Sequence, residues 1–91
     1  MYVKIKKTSD GNYVIYNESD FDNYHTHTPH LRVAKKIRSD INAWRLPRTD
    51  NIRLLESYRR VATDKIYIQR IDEMIEELEN LKGVKNKKWQ K

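Results

Sequence analysis

Seven apolar residues at helical spacing near the end of this chain constrain its fold more than any other feature. Tyr67, Ile68, Ile71, Met74, Ile75, Leu78 and Leu81 share one face of a 3.6-residue period, and Asp72, Glu73, Glu76, Glu77 and Glu79 cover the other. A segment with one apolar face must be a helix and must bury that face against something else. Thr63-Asp64 offers a cap and Gly83 a stop, so the pattern predicts a helix over about 64–82.

Two further helices are predicted upstream. Thr28-Pro29 is a suitable start for the first, with a hydroxyl to cap and a proline whose missing N–H does no harm in the opening turn. Ala34, Ile37, Ile41 and Trp44 draw its apolar stripe, Arg32, Lys35, Lys36 and Ser39 lie opposite with Arg38 at the margin, and Pro47 closes it, giving about 29–46. Thr49 or Asp50 caps the second, about 50–62, whose inner side collects Leu54, Leu55, Tyr58, Val61 and Ala62. Ahead of these, residues alternate around Val3 and Ile5, and Tyr13 to Tyr16 is rich in aromatic and β-branched residues. Asp10-Gly11-Asn12 separates the two runs, which reads as a β-hairpin over 2–17. The polar stretch 18–28 reads as a loop anchored by Phe21 and Tyr24.

A hairpin alone is marginal in water, so it must pack on the helices. The expectation is therefore one α+β domain over residues 1–83. It consists of an N-terminal β-hairpin on a three-helix, helix-turn-helix-like bundle, followed by a flexible basic tail at 84–91. Cysteine is absent, which excludes disulfides and Cys-based zinc sites. No apolar run approaches the length of a bilayer span, and the Met1-to-Lys7 start lacks a signal-peptide apolar region. A soluble cytoplasmic protein with no membrane partner is expected.

Charge is segregated along the chain. Residues 30–63 carry nine Lys/Arg against three Asp/Glu, 64–81 carry two against six, and 82–91 carry five against none. Clustered positive charge points to a polyanionic partner or to an acidic protein surface.

Catalytic constellations are weak by comparison. His25, His27 and His30, with Asp20 and Asp22, raise the question of a metal. His25-Thr26-His27-Thr28 is similar to the opening metal motif of the polymerase-and-histidinol-phosphatase family. That family needs a barrel with further His and Asp ligands, and this chain has neither the length nor another histidine. No serine sits in a Gly-x-Ser-x-Gly elbow, and with only Gly11 and Gly83 there is no phosphate loop. The expectation is no enzyme, cofactor, metal or small-molecule substrate.

Arg32, Lys35, Lys36, Arg38, Arg45 and Arg48 are the candidate nucleic-acid-binding residues of the first helix and the loop after it. Lys and Arg neutralise phosphates and release counterions. Exposed helices also need charge for solubility, which is the competing explanation. Three helices with a break before the third resemble a helix-turn-helix, but the helix that would read the major groove is here the acidic one. It must turn away, or else bind a protein or a second copy of the chain. In the tail, Lys87 and Lys88 beside Trp89 combine charge with a stacking surface suited to single strands.

His25-Thr26-His27, Pro47, Leu54-Leu55-Glu56-Ser57, Arg60-Val61-Ala62, Asp64 and Tyr67-Ile68 together resemble a class of short uncharacterised proteins of Gram-positive bacteria and their phages. The resemblance implies a mobile-element origin and carries no activity with it. Two functions are thus expected. The first is a non-enzymatic nucleic-acid-associated module. The alternative is an inhibitor or regulator, such as an anti-defence or anti-CRISPR protein, acting on a nucleic-acid-handling host protein.

Overall fold

Alternation at the N-terminus produces one strand more than expected. The computed structural model describes residues 1–81. It contains β1 (Val3–Lys7), β2 (Tyr13–Asn17), β3 (His25–Thr28), α1 (Leu31–Asn42), α2 (Ile52–Val61) and α3 (Lys65–Leu81) in that order. The strands form an antiparallel sheet of order β1-β2-β3. β1 and β2 are joined by a turn at Thr8–Asn12, where the Thr8 N–H donates to the Asn12 carbonyl at 2.9 Å. Gly11 sits there at φ 88°, in the left-handed region, with open space around it, so the backbone angle alone requires the glycine.

The loop expected at 18–28 is therefore corrected at its end. His25-Thr26-His27-Thr28 pairs with β2 in the register Tyr16↔His25, Ile15↔Thr26, Val14↔His27 and Tyr13↔Thr28. Residues 18–24 remain a tight turn, in which Asn17 N–H donates to the Tyr24 carbonyl at 2.9 Å.

Period-two alternation sorts the sheet into two faces. Val3, Ile15, Asn17 and Thr26 are buried on the helix side, with Ile5 and Tyr13 packed at its edge. The core is completed by Ala34, Ile37 and Ile41 of α1, Leu55, Tyr58 and Val61 of α2 with Ala62, and Tyr67 and Ile71 of α3. α1 packs on all three strands, α2 packs on β3, β2 and α3, and α3 packs on α2. Two asparagines tie the layers. Asn42 accepts from the Val3 N–H at 2.7 Å and returns a bond to the Val3 carbonyl at 3.0 Å, as a neighbouring strand would. Asn17, buried, donates to the Val61 carbonyl at 3.4 Å and accepts from the Ser19 hydroxyl at 2.7 Å.

Helix boundaries are narrower than the sequence implies. α1 begins after His30, which makes no side-chain cap, and the Thr28 hydroxyl instead accepts the His30 N–H at 3.2 Å. α2 is capped by Asn51, whose side chain accepts the Leu54 N–H at 3.2 Å; Thr49 serves Asn51 itself, at 3.1 Å. Asp64 caps α3 as expected, accepting from the N–H groups of Ile66 and Tyr67 at 3.0 Å each. α3 continues through Leu81, and the expected stop at Gly83 and the tail at 84–91 lie outside the described residues. No helix among the described residues is long and apolar enough to cross a membrane.

Candidate nucleic-acid interface

The apolar stripe of α1 faces the sheet, which fixes where its cations point. With Ala34, Ile37 and Ile41 fully buried, Arg32, Lys35 and Lys36 are left exposed on the opposite side, and Arg38 is half-buried at the margin. Positions i, i+3 and i+4 of a helix are surface neighbours, so these charges form one patch. Among the described residues, no carboxylate pairs with Arg32, Lys35 or Arg38. Arg48 is exposed on the connector beyond the buried Pro47. Lys87, Lys88 and Trp89 lie outside the described residues.

Arg45 is engaged within the fold. Asp40, nearly buried on the flank of α1, gathers donors from three side chains: the Tyr58 hydroxyl at 2.6 Å, Arg45 Nε at 3.2 Å and Lys36 Nζ at 3.5 Å. Arg45 also donates to the Ser39 hydroxyl at 2.6 Å, and its carbonyl accepts from the Tyr67 hydroxyl at 2.7 Å. It is thus a tie between α1 and α3. Burial, then the hydrogen bond to Asp40, pushes the Tyr58 phenol well above its ordinary value. Burial, then the Asp40 charge, raises Tyr67 in the same direction. The clue in the sequence was a lone Asp beside the apolar stripe with Lys36 four residues before it.

Pro47 does not end α1. The helix stops at Asn42 in a Schellman arrangement, in which Arg45 N–H donates to the Asp40 carbonyl at 2.8 Å and Trp44 N–H to the Ile41 carbonyl at 3.1 Å. The residue at the left-handed position is normally glycine, yet here it is Trp44, at φ 59°. A side chain there costs about 1–2 kcal/mol. Trp44, expected in the apolar stripe, is instead thrown outward and 54% exposed. With Leu46, Ile66, Tyr67 and Arg70 it lines an open, mainly apolar cleft of about 390 Å³.

The outer face of the sheet carries a second surface that the loop assignment concealed. Lys4, Lys6, Val14, Tyr16, His25 and His27 alternate onto it. Phe21 folds over from the turn, 4.9 Å from the Tyr16 ring and stacked at 5.2 Å on His25, whose ring lies edge-on to His27 at 5.3 Å. His25 Nδ1 is within 2.8 Å of the Phe21 carbonyl, which fixes that imidazole. Lys4 pairs with Glu18 at 3.0 Å, and the hydrogen bond to Glu18 raises its ammonium above the ordinary value. His-Thr-His-Thr ahead of Pro29 carries only a short alternation, and its pairing with β2 is what makes it a strand. No group of three or more His, Cys, Asp or Glu side chains among the described residues could hold a metal ion.

Comparison of the chain with known protein families, curated proteins and solved structures finds no match.

Proposed function

We propose that this chain is a small non-enzymatic nucleic-acid-associated module of bacterial or phage origin, cytoplasmic, which contacts phosphates through α1. The observation that carries this reading is the exposed α1 stripe of Arg32, Lys35 and Lys36. Arg32 and Lys35 pair with no carboxylate among the described residues, and the α1 flank toward Asp40 is already neutralised by Lys36 and Arg45. Unpaired cations on a rigid helix give binding that is sequence-tolerant and salt-sensitive. Arg48 extends the positive surface along the connector.

Nucleic-acid affinity measured at several salt concentrations tests it. Replacing Lys35 with Ala should lower the salt slope by about one phosphate contact. The double reversal Arg32→Glu, Lys35→Glu should abolish duplex binding while leaving the melting temperature in place. Lys36 is left intact because it screens Asp40. Affinity unchanged by the double reversal would refute the reading.

The exposed cleft around Trp44 favours a second reading, an inhibitor or regulator of a nucleic-acid-handling host protein. Strained backbone persists where something selects for it, and an exposed indole beside Leu46 and Ile66 suits a protein contact. A partner that survives nuclease treatment and is lost with Trp44→Ala, while Arg32→Glu, Lys35→Glu retains it, would put this reading first.

A further inference from the structure

We infer that the outer face of the sheet is a base-stacking platform, so that the nucleic acid this chain takes is single-stranded. The inference rests on the reading of the chain as a nucleic-acid-associated module and names the substrate class for a surface that α1 does not form.

No helix among the described residues packs on this face. α1 and α2 pack against the side bearing Val3, Ile15 and Thr26, and on the other side His27 is exposed, Tyr16 and His25 are half-buried, and Val14 is buried beneath its neighbours. What lies there is a continuous file of rings, Tyr16–Phe21–His25–His27, with centroids 4.9, 5.2 and 5.3 Å apart, Phe21 stacked on His25 and His27 edge-on to it. Phe21 is 43% exposed at its centre. The rings are held before any ligand arrives. Tyr16, His25 and His27 are on paired strands, and His25 is fixed to the Phe21 carbonyl. The turn that presents Phe21 is closed by Asp20 N–H to the Asn17 carbonyl at 3.2 Å and Tyr24 N–H to the Asp20 carbonyl at 3.1 Å. Preorganised rings lose little freedom when a base stacks on them.

On the β1 side of this face the charge suits a polyanion. Lys4 stands opposite Tyr16, and Lys6 opposite Val14, each in register across β2 from a histidine of β3. Lys6 pairs with no carboxylate among the described residues, and Lys4 shares Glu18 in an exposed pair that a phosphate can displace at little cost. Asp20 accepts from Asn23, at 2.8 and 3.2 Å, within an exposed turn that also carries Asp22. β1 to β3 is about 10 Å, two strand spacings. Phosphates on the β1 lysines therefore set their bases over β2 and against the rings. A duplex keeps its bases stacked on one another and offers such rings nothing, whereas unpaired bases stack on aromatic and imidazole faces irrespective of sequence.

Binding of a labelled 20-nucleotide mixed-sequence strand, as DNA and as RNA, and of the matching duplex tests this. Phe21→Ala should weaken single-strand binding by about 5- to 100-fold and change duplex binding less than twofold. Phe21→Trp should restore it, which a merely structural role for Phe21 would not predict. Lys6→Glu, at an exposed position outside the core, should weaken the single strand in the same way. If Phe21→Ala and Lys6→Glu leave single-strand affinity intact while Arg32→Glu, Lys35→Glu removes it, the platform is refuted and the α1 reading stands. If the wild-type chain binds neither strand form, both fall. If Phe21→Ala instead costs a nuclease-resistant protein partner, the face is a protein contact and the inference is overturned.

Discussion

Tyr58 of α2 donates its phenolic hydrogen to Asp40 of α1 at 2.6 Å, so the two helices share a buried, charge-assisted bond. The same carboxylate holds Arg45 and, through it, the start of α3. One acidic side chain thus joins three helices.

Removing the phenol should be expensive. Tyr58→Phe keeps the ring in the core and deletes only the bond to a charged acceptor, an effect of about 1.5–3 kcal/mol. Urea unfolding near neutral pH measures it. In a double-mutant cycle, Tyr58→Phe and Asp40→Asn should be strongly non-additive, and additive costs would mean that the bond contributes little.

Stability should fall on the alkaline side. Unfolded tyrosines release their protons near pH 10, whereas Tyr58 and Tyr67 hold theirs to higher pH, because of burial first and Asp40 second. The stability linked to both is complete below about pH 10 and is lost as the pH rises beyond it. Denaturation at about pH 8 and pH 10.5 should show a smaller loss for Tyr58→Phe, Tyr67→Phe than for the wild type. Equal losses would contradict the assignment.

At Trp44 the usual order of substitutions should invert. Both Trp44→Ala and Trp44→Gly remove the indole, but only glycine adopts φ 59° without strain. The Gly variant should be the more stable of the two by about 1 kcal/mol, read from thermal or chemical unfolding. An Ala variant at least as stable as Gly would mean that the backbone is not held in this conformation.

Along α3 the cost of truncation should decline toward the C-terminus. Ile71 is fully buried, Ile75 is partly buried, and Leu81 is 78% exposed. α2 has 10 residues and α3 has 17, a difference of about 10 Å in length, so the last turns of α3 outrun their support. Ile71→Ala should cost about 2–5 kcal/mol, Ile75→Ala less, and Leu81→Ala almost nothing. A uniform series would place the whole apolar face in the core.

What the sequence revealed and what it hid divide by range of interaction. The caps at Asp64 and the stripes of α2 and α3 were legible because each is set by residues within one or two turns. β3 was not, since His25–Thr28 is a strand only through its register with β2. The end of α1 was missed because a tryptophan stands where a glycine would have signalled the stop. Arg32, Lys35 and Lys36 could be placed on one face from spacing alone, whereas Arg45 owes its role to Asp40, Ser39 and Tyr67, and Tyr67 is distant in the chain. Phe21 was read as an anchor and is instead the exposed centre of a ring file.

The two-way bond between Asn42 and Val3 also bears on how the chain behaves among copies of itself. Both β1 and β3 are sheet edges, and unpaired edges invite strand-to-strand polymerisation. β3 is only four residues long and runs into Pro29, while β1 carries Lys4, Lys6 and Lys7 and has the outward hydrogen-bonding groups of Val3 occupied by an amide that mimics a neighbour. That amide belongs to α1. Colloidal solubility is therefore tied to the docking of one helix, and any partial opening that lifts α1 from the sheet uncovers an adhesive edge and the apolar face behind it together.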